Sequence, residues 1–313
     1  MKVLITGGLG YLGGRIAVAL TEMNCTVRLG SRKPQSPPDW LPQAEITVMN
    51  MLESASLSAA MQDVQAVVHL AAVNEIESIT NPEKALLVNT LGTMHLLETS
   101  IQASIERFIY FSTAHVYGAP LVGKITEMTV PRPVHPYAIT HHAAENFVMA
   151  AHDSNKLIGI VTRLSNGIGF PMTPHVNRWT LIVNDLCRQA ITTGKLILHS
   201  PGLQYRDFIT LEDVCRAVAY FLMLPKSYCG NGLFNLGGEC PLQIIELAKR
   251  VADRCLFVLG FKPVIERPET IIGDAQTTFD YRIDKLKDIG FKLCGSIDSE
   301  IDETLRLCQR AFI

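Results

Sequence analysis

The sequence lacks a dominant charge: 28 Lys and Arg stand against 30 Asp and Glu. Nothing in that balance draws nucleic acid or an anionic membrane from a distance, so neither is an expected partner, and any anionic ligand must be caught by placed donors. Uninterrupted apolar stretches of ~20 residues are also missing, which argues against a membrane-spanning helix. The apolar start, Met1 to Leu20, imitates a signal peptide, but Arg15 and several glycines break it. The 8 cysteines form no CxxC pair and do not cluster with the 9 histidines, so no metal site is expected. They read as scattered core thiols in a reducing compartment, and a soluble cytoplasmic protein follows. No internal repeat or low-complexity linker divides the chain.

What is present suits a globular enzyme. Hydrophobic residues make up 48% of 313 residues and charged residues 19%, enough for a core in one large domain or two modest ones. Through the first half, short apolar runs alternate with helix-like segments. Strands are expected over Lys2 to Thr6, Thr26 to Leu29, Glu45 to Met49, Ala66 to Leu70, Phe108 to Ser112 and Leu157 to Thr162. Helices are expected over Leu12 to Met23 and Pro82 to Gln102, then Trp179 to Thr192, Leu211 to Leu222 and Gln243 to Val258. Regular alternation predicts an α/β fold, a Rossmann-type doubly wound parallel sheet covered on both faces, with a smaller C-terminal α/β substrate-binding lobe. The expected division is 1–165 plus about 206–235 for the cofactor-binding sheet, and about 166–205 with 236–313 for the lobe.

Thr6-Gly7-Gly8-Leu9-Gly10-Tyr11-Leu12-Gly13 follows the first strand and opens the first helix. Early glycines allow a tight turn and close approach of backbone N–H groups to a pyrophosphate; the last lets helix pack on strand, and the helix dipole favours the anion. Position at the first strand-helix junction is what this mechanism requires. The second strand continues into Gly30-Ser31-Arg32-Lys33 with no carboxylate to accept from a ribose 2′-hydroxyl. Ser31 and Arg32, with Lys33 as helper, suit a 2′-phosphate, so NADP(H) is favoured over NAD(H).

Further segments join that turn: Val67-Val68-His69-Leu70-Ala71-Ala72, Asn89-Thr90-Leu91-Gly92-Thr93, Phe111-Ser112-Thr113-Ala114-His115, Pro136-Tyr137-Ala138-Ile139-Thr140-His141, Arg163-Leu164-Ser165-Asn166 and Gln204-Tyr205-Arg206-Asp207. Together they resemble the extended short-chain dehydrogenase/reductase family, the NAD(P)-dependent epimerase/dehydratase group acting on nucleotide sugars. The resemblance implies a dinucleotide held by Gly7, Gly10, Tyr11, Leu12, Gly13, Ser31, Arg32, Asn50, Met51, Leu70, Ala71, Ala72 and Asn89, with Tyr137 and His141 at its nicotinamide end. Thr113 would hydrogen-bond the substrate oxygen while Tyr137 exchanges a proton with it. Asn166 and Arg206 would meet the substrate diphosphate; an ion pair of Arg206 with Asp207 or Glu212 is the competing reading. A homodimer through the Pro82 to Gln102 and Tyr137 to Ala151 helices is implied as well.

The chain departs from the family pattern at two places. His141 stands where the family's YxxxK motif has lysine, and an imidazole with an ordinary pKa near 6.5 is largely uncharged at neutral pH, so weaker activation of Tyr137 is expected unless a carboxylate raises it. Ala114-His115 stands where 4,6-dehydratases carry Asp-Glu, which removes the acid and base for dehydration; His115 is either a proton-transfer group or a polar wall of the sugar pocket. His69 reads as packing. The leading expectation is an NADPH-dependent 4-keto sugar reductase. An epimerase acting at C4 or another carbon, a reductase of a non-sugar carbonyl and a non-catalytic NADP-binding protein remain as alternatives.

Overall fold

The computed structural model describes residues 1–269 and 279–313. Its strands are β1 (Lys2–Thr6), β2 (Thr26–Ser31), β3 (Glu45–Val48), β4 (Ala66–His69), β5 (Arg107–Thr113), β6 (Gly123–Ile125), β7 (Ile158–Leu164), β8 (Asn166–Ile168), β9 (Lys195–Ile197), β10 (Tyr205–Thr210), β11 (Leu233–Leu236), β12 (Pro241–Gln243), β13 (Val264–Glu266) and β14 (Phe279–Tyr281). Its α-helices are α1 (Tyr11–Glu22), α2 (Ser54–Ala60), α3 (Glu75–Thr80), α4 (Pro82–Ala85), α5 (Thr93–Gln102), α6 (Pro136–Asp153), α7 (Ile182–Thr193), α8 (Leu211–Met223), α9 (Ile244–Leu259), α10 (Asp284–Asp288) and α11 (Ile297–Phe312).

Seven strands form one parallel sheet in the order β3-β2-β1-β4-β5-β7-β11. Its strands are apolar on both faces because both are covered. Val3, Ile5, Ile109 and Phe111 face α1 and α8, packing with Ile16, Leu20, Val214 and Phe221. The alternate residues Leu4, Phe108 and Tyr110 face α2, α5 and α6, packing with Leu57, Leu96 and Val148. Strand order reverses between β1 and β4, and in such sheets ligands bind beyond the carboxyl ends of the strands at that point.

A second core joins α7, α9 and α11 through Leu186, Val251, Ile301 and Leu305, beside the three-stranded sheet β12-β10-β8. The structure divides the chain more finely than the sequence suggests. β10, at the start of the expected 206–235 return, lies in the small sheet, whereas α8 and β11 belong to the main body. Ile283, Leu286 and Phe291, from the expected lobe, return to the main core. The expected Pro82 to Gln102 helix is continuous but not uniform: a π-helical turn over Leu86–Gly92 separates α4 from α5. Such turns widen a helix by one residue and concentrate at functional sites. Among the described residues no helix is long and apolar enough to cross a membrane.

Candidate active site

The glycine turn lies at the β1/β4 switch point. Gly7 takes φ of +69°, a conformation L side chains rarely adopt, and a Cβ there would lie 3.0 Å from the Ala71 nitrogen just beyond β4. At Gly13 a Cβ would sit 2.2 Å from the Gly7 carbonyl oxygen, so only glycine lets α1 meet the turn. The N-cap of α1 is Gly10, with no side-chain cap, and the first turn has no acidic residue. Unsatisfied N–H groups and the positive end of the dipole therefore remain for an anion, and the cradle fits a dinucleotide pyrophosphate. The Tyr11 phenol is turned away, donating to the Gly169 carbonyl at 2.7 Å, and Leu12 packs against the main core; at these two positions the backbone faces the cradle.

Beneath the turn runs a buried polar chain. The Thr6 Oγ1 accepts from the Leu70 and Ala71 backbone N–H groups, both at 3.2 Å, and lies 2.6 Å from His69 Nδ1. His69 Nε2 is 2.8 Å from Thr93 Oγ1, which donates to the Asn89 carbonyl at 2.6 Å. These roles make Thr6 the donor to Nδ1 and leave the imidazole proton on Nε2. Burial pushes the His69 pKa down to about 3; it is a neutral bracket inside the fold. Asn89, in the π-turn, accepts from the Val73 N–H at 2.7 Å and donates to Thr140 Oγ1 at 3.1 Å. It ties the loop after β4 to α6 between Tyr137 and His141.

The other expected dinucleotide residues line the same edge. The Ser31 hydroxyl donates to the Lys33 carbonyl and accepts from Gln35 Nε2, each at 2.7 Å, while Arg32 and Lys33 are exposed. Asn50 Nδ2 donates to Glu53 Oε1 at 2.7 Å, and Met51 packs at Gly92, where a Cβ would come within 2.8 Å of its own. Leu70 and Ala71 are half-buried and Ala72 is exposed.

Thr113 ends β5 and accepts from the His115 N–H at 3.2 Å, capping a single 3-10 turn over Ala114–Tyr117. Tyr137 is the second residue of α6, which starts with Pro136 at its first position and a His135 Nδ1 cap accepting from the Tyr137 N–H at 3.1 Å. The Tyr137 and His141 rings meet edge to face, with centroids 4.4 Å apart. Burial pushes the Tyr137 phenol up to about 12, with Glu75 adding to the rise and Arg178 opposing it. Burial also pushes His141 down to about 4. A carboxylate that could have raised it, Glu145 one turn on, is bound to Arg163 at 2.7 Å, both side chains almost fully buried. His141 is thus a neutral imidazole, and the conditional rise in its pKa does not occur.

His115 opens toward the other lobe. Enclosure holds its pKa below the ordinary value; Arg206 lowers it further, and Glu75 opposes both. Glu75 and Arg178, 103 residues apart, form an ion pair at 3.3 Å that links the start of α3 to the loop before α7. Sequence reading missed both. The one available signal was that Glu75 opens a helix just beyond β4, on the ligand side of the sheet. Arg206 has no ion-pair partner among the described residues. The Asp207 carboxylate accepts instead from the Gly238 and Cys240 N–H groups at 2.9 and 2.8 Å, and Asn166 Nδ2 donates to the Asp207 carbonyl at 2.9 Å. Asn166 and Arg206 lie on the paired strands β8 and β10.

The profile of the NAD dependent epimerase/dehydratase family matches residues 3–237. The chain belongs to that family. It is 27% identical over 262 residues to the dTDP-D-glucose 4,6-dehydratase of Mus musculus, covering 80% of this chain and 72% of that protein. It is 27% identical over 321 residues to the UDP-glucose 4-epimerase of Lactobacillus helveticus, covering 88% and 96% respectively. The solved UDP-glucose 4-epimerase of Thermus thermophilus, complexed with NAD, shares the fold over 100% of both chains with a TM-score of 0.82 and 23% identity. As a member of this enzyme family, the protein combines the expected glycine turn with a buried histidine, His141, one helical turn from Tyr137, and burial pushes the pKa of that histidine down.

Proposed function

We propose that this protein is a nicotinamide-dependent oxidoreductase of a nucleotide-linked sugar, and that its reaction is reduction of a 4-keto sugar. The observation that carries the reading is the placement of Tyr137, the second residue of α6, with its ring edge to face on the buried His141 imidazole at 4.4 Å between centroids. The Tyr137 phenol, held up near 12 beside an uncharged imidazole, is a proton donor, and ketone reduction needs a donor at the sugar oxygen. A bound dinucleotide supplies the hydride. Tyr137 gives its proton to the oxygen, Thr113 orients that oxygen through its O–H, and His115 faces the sugar. Arg206, which pairs with no carboxylate among the described residues, and Asn166 hold the diphosphate.

Ser31, Arg32 and Lys33 at the end of β2 support NADP(H) over NAD(H). The eight free thiols support a reducing, cytoplasmic location. A homodimer is supported by the apolar side chains that α3, the π-turn and α6 expose, among them Ile79, Leu87, Ile139 and Phe147.

Epimerisation is the second reading, favoured by the 4-epimerase relative that matches nearly end to end. The same residues serve it if the ketone turns over before hydride returns. Dehydration has less support, because Ala114 and His115 replace the carboxylate pair. Incubation of purified protein with NADPH and 4-keto nucleotide sugars separates these outcomes. Stoichiometric NADPH oxidation, lost in Tyr137→Phe, supports reduction; interconversion of sugar epimers without net NADPH loss supports the second reading. Turnover of free aldehydes but no nucleotide sugar, or no turnover by wild type at all, overturns both.

A further inference from the structure

His141 has a partner that the sequence pattern does not announce. Tyr110, on the β5 face that packs against α6, places its Oη 2.7 Å from His141 Nδ1. Both side chains are almost fully buried, and the rings stack with centroids 5.7 Å apart. The hydrogen bond of the Tyr110 hydroxyl goes to Nδ1, while Nε2 of His141 is buried and has no partner among the described residues. A neutral phenol must donate its proton somewhere; Thr93 Oγ1, the other polar atom beside it, already meets His69 Nε2 and donates to the Asn89 carbonyl, so the Tyr110 proton is assigned to Nδ1. With Nδ1 as acceptor, the uncharged imidazole carries its own proton on Nε2.

The geometry points to Tyr110 as a positioning residue that holds His141 in its Nε2–H form, so that the family's lysine is replaced by one fixed, uncharged N–H donor. That donor is a buried atom without a partner among the described residues, on a ring in contact with Tyr137, where a dinucleotide sugar-hydroxyl could accept from it. A lysine offers three donors and a charge; this arrangement offers one donor, and its tautomer must be set from outside the side chain. The proposal rests on the reading of Tyr137 and His141 as the catalytic pair. His95 Nδ1 and His152 Nδ1 are also buried without partners, but neither ring contacts a residue of the cleft among the aromatic pairs of the structure.

The decisive experiment is two-bond 1H–15N NMR of histidine-labelled protein without cofactor, with His141 assigned through His141→Lys. Wild type is expected to show an acceptor-type Nδ1 and a protonated Nε2 for His141, unchanged between pH 6 and 8. Tyr110→Phe is expected to mix or reverse the tautomers. A protonated Nδ1, an imidazolium at pH 7, or an unchanged tautomer in Tyr110→Phe would overturn the proposal. A kinetic cycle supplies the second arm. Tyr110→Phe should lower kcat about 10-fold, the scale of one buried hydrogen bond, with little change in the KM for the sugar. In a His141→Lys background the same substitution should have almost no effect, since lysine has no tautomer; an equal loss in both backgrounds would mean that Tyr110 acts by packing alone and would overturn the proposal. The NMR arm needs no substrate, so it stands or falls separately from the assigned reaction.

Discussion

Thr6 and His69, 63 residues apart in sequence, share a 2.6 Å hydrogen bond that joins the carboxyl ends of β1 and β4 where the strand order reverses. The same hydroxyl receives two backbone N–H groups, so it sets the floor on which the glycine turn rests. Thr6→Val keeps the shape but removes the donor and acceptor, leaving His69 Nδ1 and the Ala71 N–H unmatched, while the Leu70 N–H keeps the Thr6 carbonyl at 3.2 Å. Chemical denaturation should register a loss of about 2–3 kcal/mol, against less than about 1 kcal/mol for Thr6→Ser. Equal stabilities for the two variants would sink this account.

Two glycines in the turn should respond differently to alanine. At Gly13 the new Cβ meets the Gly7 carbonyl at 2.2 Å and the Gly8 Cα at 2.6 Å, so the helix must lift from the strand. Gly13→Ala is expected to lower the melting temperature and abolish dinucleotide retention together. At Gly10 the nearest atom is 3.0 Å away and φ is −89°, so Gly10→Ala should fold normally and lose affinity only. Cofactor release on heating, measured beside the melting curve, distinguishes them.

Acid should destabilise the fold through its two buried neutral histidines. In the unfolded chain both titrate near 6.5; in the fold His141 lies at about 4 and His69 at about 3. Between those values the unfolded state binds more protons, so stability rises with pH there. It is fully present above about pH 6.5 and is lost as pH falls toward the folded pKa values. His69→Gln, which keeps polar atoms without titrating, should flatten the melting profile between pH 4.5 and 6.5. A wild-type melting temperature constant over that range would contradict the assignment.

Glu75 raises both the Tyr137 phenol and the His115 imidazole, while Arg178 opposes it at Tyr137. Glu75→Gln should therefore shift the alkaline limb of the pH–rate profile to lower pH, and any limb belonging to His115 in the same direction. Its effect on melting should stay within about 1 kcal/mol, because both partners of the Glu75–Arg178 pair are substantially exposed. A profile superimposable on wild type would remove Glu75 from the site.

The exposed apolar residues on α6 and the π-turn test association. Phe147→Asp with Leu87→Asp should convert a dimer to a monomer in analytical ultracentrifugation, with secondary structure unchanged. Wild type that sediments as a monomer would refute the dimer directly.

Much of the cofactor half was legible in the sequence because its signals are local. Strand periodicity, a glycine spacing at a strand-helix junction and a proline-opened helix carrying Tyr137 each lie within a dozen residues. The rest depended on pairs that only the fold brings together. Strand alternation puts Tyr110 and Phe108 on one face of the sheet, but nothing in the chain tells which helix covers that face or that His141 points inward. Glu75 and Arg178 carry no motif at all. Asn89 stands in a legible motif, but its hydrogen bonds to Val73 and Thr140 were not legible, since their two directions depend on the register of the π-turn with α6. Tyr11 likewise sits in the glycine turn while its phenol serves the other lobe.

Helix α1 ties the two lobes at three points. Tyr11 reaches Gly169, the Arg15 guanidinium stacks 4.2 Å over Phe170, and it binds Glu300 at 2.9 Å across 285 residues of sequence. The helix whose N-terminus would receive the pyrophosphate is thus also the anchor of the lobe proposed to receive the sugar. Occupancy of the turn should consequently be heard at the far end of the chain: amides around Glu300 in α11 would slow their hydrogen exchange when dinucleotide binds, and substitutions there would surface in a genetic screen as cofactor-affinity mutants.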